Sequence, residues 1–473
     1  MNISARYRIH YSGPAHSGPR PIRIRLPSSI NQPILTAQVE QEGTVPFQRL
    51  AGESTPENSV YLGIVEPHDG QIVVFDDSSY EPESAASSTS EPSKATGGIK
   101  PIQPFHERDA ICRLDTGYFD LELCRGTGSG EGASKWGIRH FMSKQEQVDL
   151  LRSGNNALGG FYGPFFTPEN GLINPPEHVV AHVTVEECGP VMHRYLLSGR
   201  IPDGLRPELR GKSFSVEFTF YRDVDFFDRR YHVDHFETEV NGRCALDRIT
   251  VGDEFESGEG GLVFDRFDSY NRTPYREGDP YAALLKQEVA SIINESKNEE
   301  NPQEEPARFA YFRNLLDRDL TNAHWDLYWR LFSYWEHALT DAQIREHLAQ
   351  VTAQAHVTAD ANERPWHMPS QAIDVSSLKD QTIFPGAADC TAEFNSSNGR
   401  CMIWLTSQPS GGFQIVQRPQ SGWVNWGTNT ENESPALPVG TRIRTIYGNY
   451  AQSWRERADL ETQASIQVQK QAS

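Results

Sequence analysis

The chain reads as mainly β: an antiparallel β-sandwich central domain, a smaller β domain before it, and a helical insertion after it. Three observations carry this reading. Strands with period-two alternation recur along most of the 473 residues, Gly and Pro punctuate them at short intervals, and one later stretch changes to helical periodicity. The clearest strand is Lys212 to Phe220, where Phe214, Val216, Phe218 and Phe220 fall on one side and polar residues on the other. That alternation belongs to a strand with one face in a core and one face in water.

Residues 1–76 alternate short apolar runs with turn residues, at Ile22 to Leu26, Ile34 to Val39, Val60 to Val65 and Ile72 to Phe75. Strands this short and closely spaced predict a small sandwich or barrel. Residues 77–104 turn to Ser, Glu, Pro, Ala and Gly, the composition of a linker or long surface loop. Residues 105–280 hold the central domain. Gly159-Gly160, Gly163-Pro164, Asn170-Gly171 and Asn174-Pro175-Pro176 mark its turns. Strands are expected at Val179 to Glu186, Val191 to Gly199, Phe214 to Tyr221, Arg229 to Glu239 and Cys244 to Val251, a meander that builds a large antiparallel sheet.

The pattern changes at Pro280. Residues 281–370 read as helical, and Trp325, Leu327, Trp329, Leu331, Phe332 and Trp335 crowd much of one helix's circumference, the pattern of a helix packed between other elements. The β pattern returns over 371–450, at Cys401 to Thr406, Phe413 to Val416 and Arg442 to Ile446, as a second sheet or a return to the first. Residues 451–473 read as a terminal helix with a frayed tail.

A net charge of -20 argues against a nucleic-acid partner, because a phosphate backbone calls for a basic face. No apolar run reaches the roughly 18 residues of a membrane span, and Met1 to Pro14 has no apolar core of a signal, so a cytoplasmic chain without a membrane partner is expected. The six cysteines form neither a CxxC nor a zinc-spaced cluster. They are read as free thiols, and neither a metal nor a cofactor is expected. A homo-oligomer is entertained on the aromatics of the helical stretch.

Three segments together resemble a known strand order: Val183-Thr184-Val185-Glu186-Glu187-Cys188-Gly189-Pro190-Val191, Phe218-Thr219-Phe220-Tyr221-Arg222-Asp223, and Arg229-Arg230-Tyr231-His232-Val233-Asp234. They look like the strands of galactose-mutarotase-like β-supersandwich domains, which occur in polysaccharide lyases, α-mannosidases and sugar epimerases. The resemblance covers about a hundred residues and implies a fold more than a reaction. It implies carbohydrate as the class of substrate.

Three clusters carry the candidate chemistry. The first is Glu122, Arg125, Lys135, Trp136, Arg139 and His140 around a Gly/Ser-rich stretch. Arg would bind a sugar carboxylate through two parallel bonds and Trp would stack on the sugar ring. The second is the loop from Asn155 to Asn170, where Asn156, Phe161, Tyr162, Phe165, Glu169 and Asn170 mix hydrogen-bonding groups with aromatics. A loop this apolar either covers a core or lines a pocket. The third is the strand Tyr231 to Glu239, whose alternation puts His232 and Asp234 on one face and His235 on the other.

Two cleavage chemistries and a binding role follow from these groups. Hydrolysis of a glycosidic bond is placed slightly ahead, with Glu122 and Glu169 as the paired carboxylates, or Glu237 in place of either. Elimination at a uronate would use Tyr162 or His140 as base, Arg139 or Arg125 to neutralise the carboxylate, and Asn156 as helper. A carbohydrate-binding or assembly protein needs only the aromatics.

Overall fold

The computed structural model describes residues 7–11, 18–39, 43–66, 71–75, 100–102, 109–128, 134–151, 157–162, 179–201, 211–234, 237–240, 243–246, 248–256, 263–270, 373–374, 381–385, 390–407, 412–418, 423–427 and 437–463. Strands β1 (Tyr7–Tyr11), β2 (Arg20–Pro27), β3 (Ile34–Val39), β4 (Gly43–Arg49), β5 (Asn58–Val65) and β6 (Gln71–Phe75) form one antiparallel sheet. Its order is β1-β6-β3-β4-β5-β2. In β2, Ile22, Ile24 and Leu26 are buried while Arg23 and Arg25 point outward, so the sheet closes over a core of its own with Phe47 and Tyr61. β5 is buried along nearly its whole length because it serves two cores. Tyr61 and Val65 face inward, and Val60, Leu62 and Ile64 face the next layer.

Strands β7 (Lys100–Ile102), β8 (Ala110–Asp115), β9 (Phe119–Arg125) and β10 (Trp136–Ser143) make a second sheet in the order β10-β9-β8-β7. β7 falls inside the stretch whose composition reads as linker. The chain continues through β11 (Gly160–Tyr162), β12 (His182–Cys188), β13 (Met192–Arg200), β14 (Ser213–Tyr221), β15 (Phe226–Val233), β16 (Glu237–Val240), β17 (Arg243–Leu246), β18 (Arg248–Glu256) and β19 (Arg266–Tyr270). Then come β20 (Ile373–Asp374), β21 (Gln381–Pro385), β22 (Cys390–Phe394), β23 (Cys401–Thr406), β24 (Gly412–Arg418), β25 (Trp423–Gly427), β26 (Leu437–Pro438) and β27 (Arg442–Gly448), followed by the helix α1 (Trp454–Gln463).

A nine-stranded sheet runs β12-β13-β14-β15-β27-β23-β22-β19-β20. Its first four strands are the meander expected from the sequence. The late strands β22, β23 and β27 join this same sheet beside β15. The expected strand Arg229 to Glu239 is divided, because β15 stops at Val233 and β16 pairs with β17 instead of continuing the large sheet. A third sheet, β11-β18-β25-β24-β21 with β26 beside β18, is the remaining large layer.

The central core is the sandwich filling. Leu121, Leu123, Trp136 and Phe141 of the second sheet meet Phe214, Val216, Phe218, Phe227 and Trp404 of the nine-stranded sheet and Val251 and Phe255 of β18. The polar face expected on β14 is not all in water, since Thr219 and Tyr221 are buried there. The first sheet and α1 cover that side: Leu50, Leu62 and Ile64 pack with Met192, Phe226, Ile403, Trp454 and Ala458. The helical stretch expected over 281–370 lies outside the described residues. Among the described residues no helix is long and apolar enough to cross a membrane.

Candidate functional site

Adjacent strands bring part of the first expected cluster together. The register of β9 and β10 sets Glu122 opposite His140 and Arg125 opposite Trp136. Around them the polar groups are mutually engaged. His140 Nδ1 stands 2.9 Å from Asp149 Oδ2, and Arg113 donates to Asp120 at 2.8 Å through Nε. Burial would raise the Asp149 carboxyl, but His140 and the backbone amides of Leu151 and Phe141 hold it below its ordinary value. Arg139 donates to both oxygens of Asp109 at 2.6 Å, and Lys135 pairs with Glu254. Glu122 and Trp136 are fully buried, Trp136 stacked on Phe214 at 5.8 Å within the core. These residues thus form a charged layer of the second sheet, with Arg125 the exposed member.

The other expected residues do not join this layer. Phe161 and Tyr162 lie on β11, which pairs with β18 in the third sheet. His232 is exposed on β15, in the nine-stranded sheet. Asn156, Phe165, Glu169 and Asn170 lie outside the described residues, and with them the second carboxylate of the Glu122 and Glu169 pair. Among the described residues no group of three His, Cys, Asp or Glu side chains is placed to hold a metal ion.

A cleft of about 410 Å³ gathers a different set: Tyr118, Asp223, Asp225, Tyr450, Glu456 and Arg457. Tyr118 sits in the turn between β8 and β9, the two aspartates in the turn between β14 and β15, and the other three on and before α1. Asp225 anchors the cleft. It accepts 2.6 and 2.7 Å bonds from Arg457 and a 2.6 Å bond from the Tyr450 hydroxyl. Tyr450 donates its hydroxyl to Asp225, and its oxygen is hydrogen-bonded with the Tyr118 hydroxyl as well. Burial, with the nearby Asp225 charge, pushes the Tyr118 hydroxyl up to about 12, so it stays a neutral donor and acceptor.

Asp223 is the other acid. Its side chain is about half exposed and pairs with Arg222 at 3.1 Å; partial burial raises its carboxyl above the ordinary value and nearby Asp115 adds to this, while Arg222 and Lys144 pull the other way. Its backbone is left-handed, with φ of 55°, a conformation that costs a non-glycine residue about 1 to 3 kcal/mol. The turn is held by a 2.7 Å bond from its amide to the Thr116 carbonyl. It is also held by Gly117, where a Cβ would lie 1.8 Å from Asp223 Oδ1. Gly448 plays the same part beneath the tyrosines, since a Cβ there would meet the Tyr450 ring at 2.6 Å and the Tyr118 hydroxyl at 3.1 Å. Sequence reasoning did not select these residues because they come from three distant segments. The one legible signal was Tyr221-Arg222-Asp223, quoted for the strand resemblance and not for chemistry.

Deeper in the sandwich lies a closed polar cluster. Asp253 accepts 2.6 Å bonds from both terminal nitrogens of Arg229, a 2.6 Å bond from the Trp404 indole and a 2.8 Å bond from the Gly159 amide. Glu393 is fully buried on β22, and neither of its oxygens has a hydrogen-bond partner among the described residues. Burial, reinforced by the Asp253 charge, raises its carboxyl well above the ordinary range. No solvent reaches this cluster, which fits it to orient the strands and not to meet a ligand.

No protein family's sequence description matches the chain, and no curated protein does. Among solved structures it is similar to an α-mannosidase from Enterococcus faecalis, at 9% identity and a TM-score of 0.41, over 100% of this chain and 46% of that one. It is similar also to a glycosyl hydrolase family 38 protein from Enterococcus faecalis, at 7% identity and a TM-score of 0.47, over 100% and 48%. The chain thus spans about half the length of those two proteins. A galactose mutarotase-like protein from Clostridium acetobutylicum, the class whose strand order the three sequence segments resemble, is a neighbour at 8% identity and a TM-score of 0.36, over 74% and 97%. Sugar chemistry belongs to those proteins by their own description; for this chain it has to be read from its own side chains.

Proposed function

We propose that this chain is a carbohydrate-active β protein and that the cleft between Tyr118 and Tyr450 binds a neutral sugar. One observation carries the reading: two tyrosines and two aspartates in different settings converge on one cleft whose arginine is already engaged. A pyranose offers an apolar face to a phenol ring and hydroxyls to carboxylates, so this lining suits it. Arg457 is occupied by Asp225 and Glu461, so among the described residues lining the cleft no guanidinium is left for a uronate carboxylate.

A second reading, hydrolysis of the glycosidic bond, is favoured by the contrast between the aspartates. Asp223, whose carboxyl is raised, would give a proton to the leaving oxygen, and Asp225 would face the anomeric carbon or its attacking water. Elimination with Tyr162 or His140 as base stays the competing chemistry. The test is a panel of neutral and uronate oligosaccharides followed by calorimetry, reducing-end release and absorbance of an unsaturated uronate. Neutral sugars are expected to bind, and Tyr450→Phe, which breaks the link to Asp225, to weaken them by about tenfold. If hydrolysis accompanies binding, Asp223→Asn lowers its rate by about 10² to 10⁴ while leaving affinity nearly unchanged. Binding of uronates alone, or neutral-sugar binding indifferent to Tyr450→Phe, sinks the proposal, and growth of absorbance moves the assignment to elimination.

A further inference from the structure

A second cavity, of about 450 Å³, lies between the first sheet and the outer face of the nine-stranded sheet. It reverses the character of an acidic chain. Arg23 and Glu53 come from the first sheet and the turn after β4, and Arg194, Glu217, Asp228, Arg230 and Arg442 come from β13, β14, β15 and β27. Arg229 also lines it, but its guanidinium is turned to Asp253 on the inner face.

Two of the three carboxylates are taken. Glu53 accepts from Arg23 at 3.2 Å and from Arg194 at 2.7 Å. Asp228 accepts from Arg444 at 2.8 and 2.9 Å and from the Tyr221 hydroxyl at 3.0 Å. Glu217 lies opposite Arg230 in the register and 3.9 Å from Arg194 Nε, which is buried without a hydrogen-bond partner among the described residues. Arg442 acts on Asp228 only through its charge and Arg230 faces Glu217 across the strands, so theirs are the guanidinium donors not bonded to a carboxylate among the described residues. They are exposed to the cavity, make no hydrogen bond or ion pair with a carboxylate among the described residues, and stand directly opposite each other across β15 and β27. Like charges in that register repel, and a cross-strand pair of this kind is destabilising by itself.

We propose that this cavity is an oxyanion site, in which a phosphate, sulfate or carboxylate on a small ligand lies between the guanidinium forks of Arg230 and Arg442. Planar forks form paired bonds to an oxyanion, and the anion cancels the repulsion between them. Arg23 on the facing wall makes the bound anion a tie between the first sheet and the large sheet. The site is separate from the tyrosine cleft, so either assignment can fail without the other.

The test titrates inorganic phosphate, a hexose 6-phosphate and glucuronate into the intact protein in chloride buffer, by calorimetry and by thermal melting, with wild type and Arg230→Gln/Arg442→Gln. Wild type is expected to bind at least one of the three, with a raised Tm and an affinity that falls as salt is added. The double variant is expected to bind about tenfold more weakly or worse, while melting without ligand no lower than wild type. Equal affinity for phosphate and the sugar phosphate assigns the free ion, tighter binding of the sugar phosphate assigns a phosphorylated sugar, and preference for glucuronate assigns a carboxylate. No binding by any of the three, or binding unchanged in a double variant that melts normally, overturns the proposal.

Discussion

Asp253 and Glu393 are both fully buried carboxyl groups in the sandwich, and among the described residues one has a guanidinium partner and the other has none. Arg229 forms a bidentate pair with Asp253 at 0% exposure on both sides, and removing one member of such a pair strands the other charge at a cost of about 3 to 5 kcal/mol. Glu393 has no such partner among the described residues, and burial favours its neutral form. The sign of its pH effect follows from linkage. A carboxyl whose folded value lies above its unfolded value of 4.5 keeps its proton in the fold while the unfolded chain loses it, so stability falls as pH rises above 4.5 toward the folded value. Glu393→Gln removes that penalty. Urea midpoints at about pH 5 and pH 8 are therefore expected to show the variant gaining on wild type as pH rises, and a constant difference would disprove it.

At the scale of the element, α1 is fixed by one acid as well as by the buried Trp454 and Ala458. Glu461 meets Arg20 of β2 at 3.0 Å, Arg457 one turn earlier at 2.7 Å, and Arg444 of β27. Burial alone would raise Glu461, but those arginines hold it far below the ordinary value of 4.5. It therefore stabilises the fold above pH 4.5, and that contribution is lost as pH falls toward the depressed folded value. Glu461→Gln leaves three guanidiniums facing a neutral amide and is expected to cost about 3 to 5 kcal/mol, read as a lower denaturant midpoint at pH 7. The same helix supplies Arg457 to the cleft, so loss of Glu461 is also expected to loosen Asp225 and to weaken the sugar binding proposed for that cleft.

For the whole molecule, the docking of the first sheet decides what the outer face of the large sheet can do. Gln48 reaches from β4 across the junction, accepting from the Val191 and Met192 amides at 3.1 and 2.8 Å and donating to the Met192 carbonyl at 3.0 Å. Its side chain acts as a strand partner for the end of β13. Gly189 leaves room for it, since a Cβ there would lie 2.3 Å from the Gln48 amide carbon. Gln48→Ala takes the partner from the Val191 and Met192 amides, while the Met192 carbonyl keeps the Gly189 amide at 3.2 Å, and is expected to lower stability by about 2 to 4 kcal/mol, measured by denaturant unfolding. A Tm within a degree or so of wild type would show that the junction does not depend on it.

The mainly β architecture was legible because burial on one face of a strand leaves a period-two trace, as in Phe214, Val216, Phe218 and Phe220. Strands β13, β14 and β27 were readable for the same reason, whereas β23, buried along its whole length, was readable as the continuous apolar run from Cys401 to Leu405. Strands buried on both faces, such as β5 and β22, lose the alternation, and only the fold tells which core each residue enters. Local pairing was partly legible too: Glu122, Arg125, Trp136 and His140 were grouped by sequence nearness and do lie on paired strands. Sequence could not show that Arg139 and Lys135 are neutralised by Asp109 and Glu254, because those partners lie 30 and 119 positions away. The same limit hid both cavities. Tyr118 meets Tyr450, and Arg230 meets Arg442, through contacts set by sheet order, and sheet order is decided by which apolar faces pack together and not by any local run of residues.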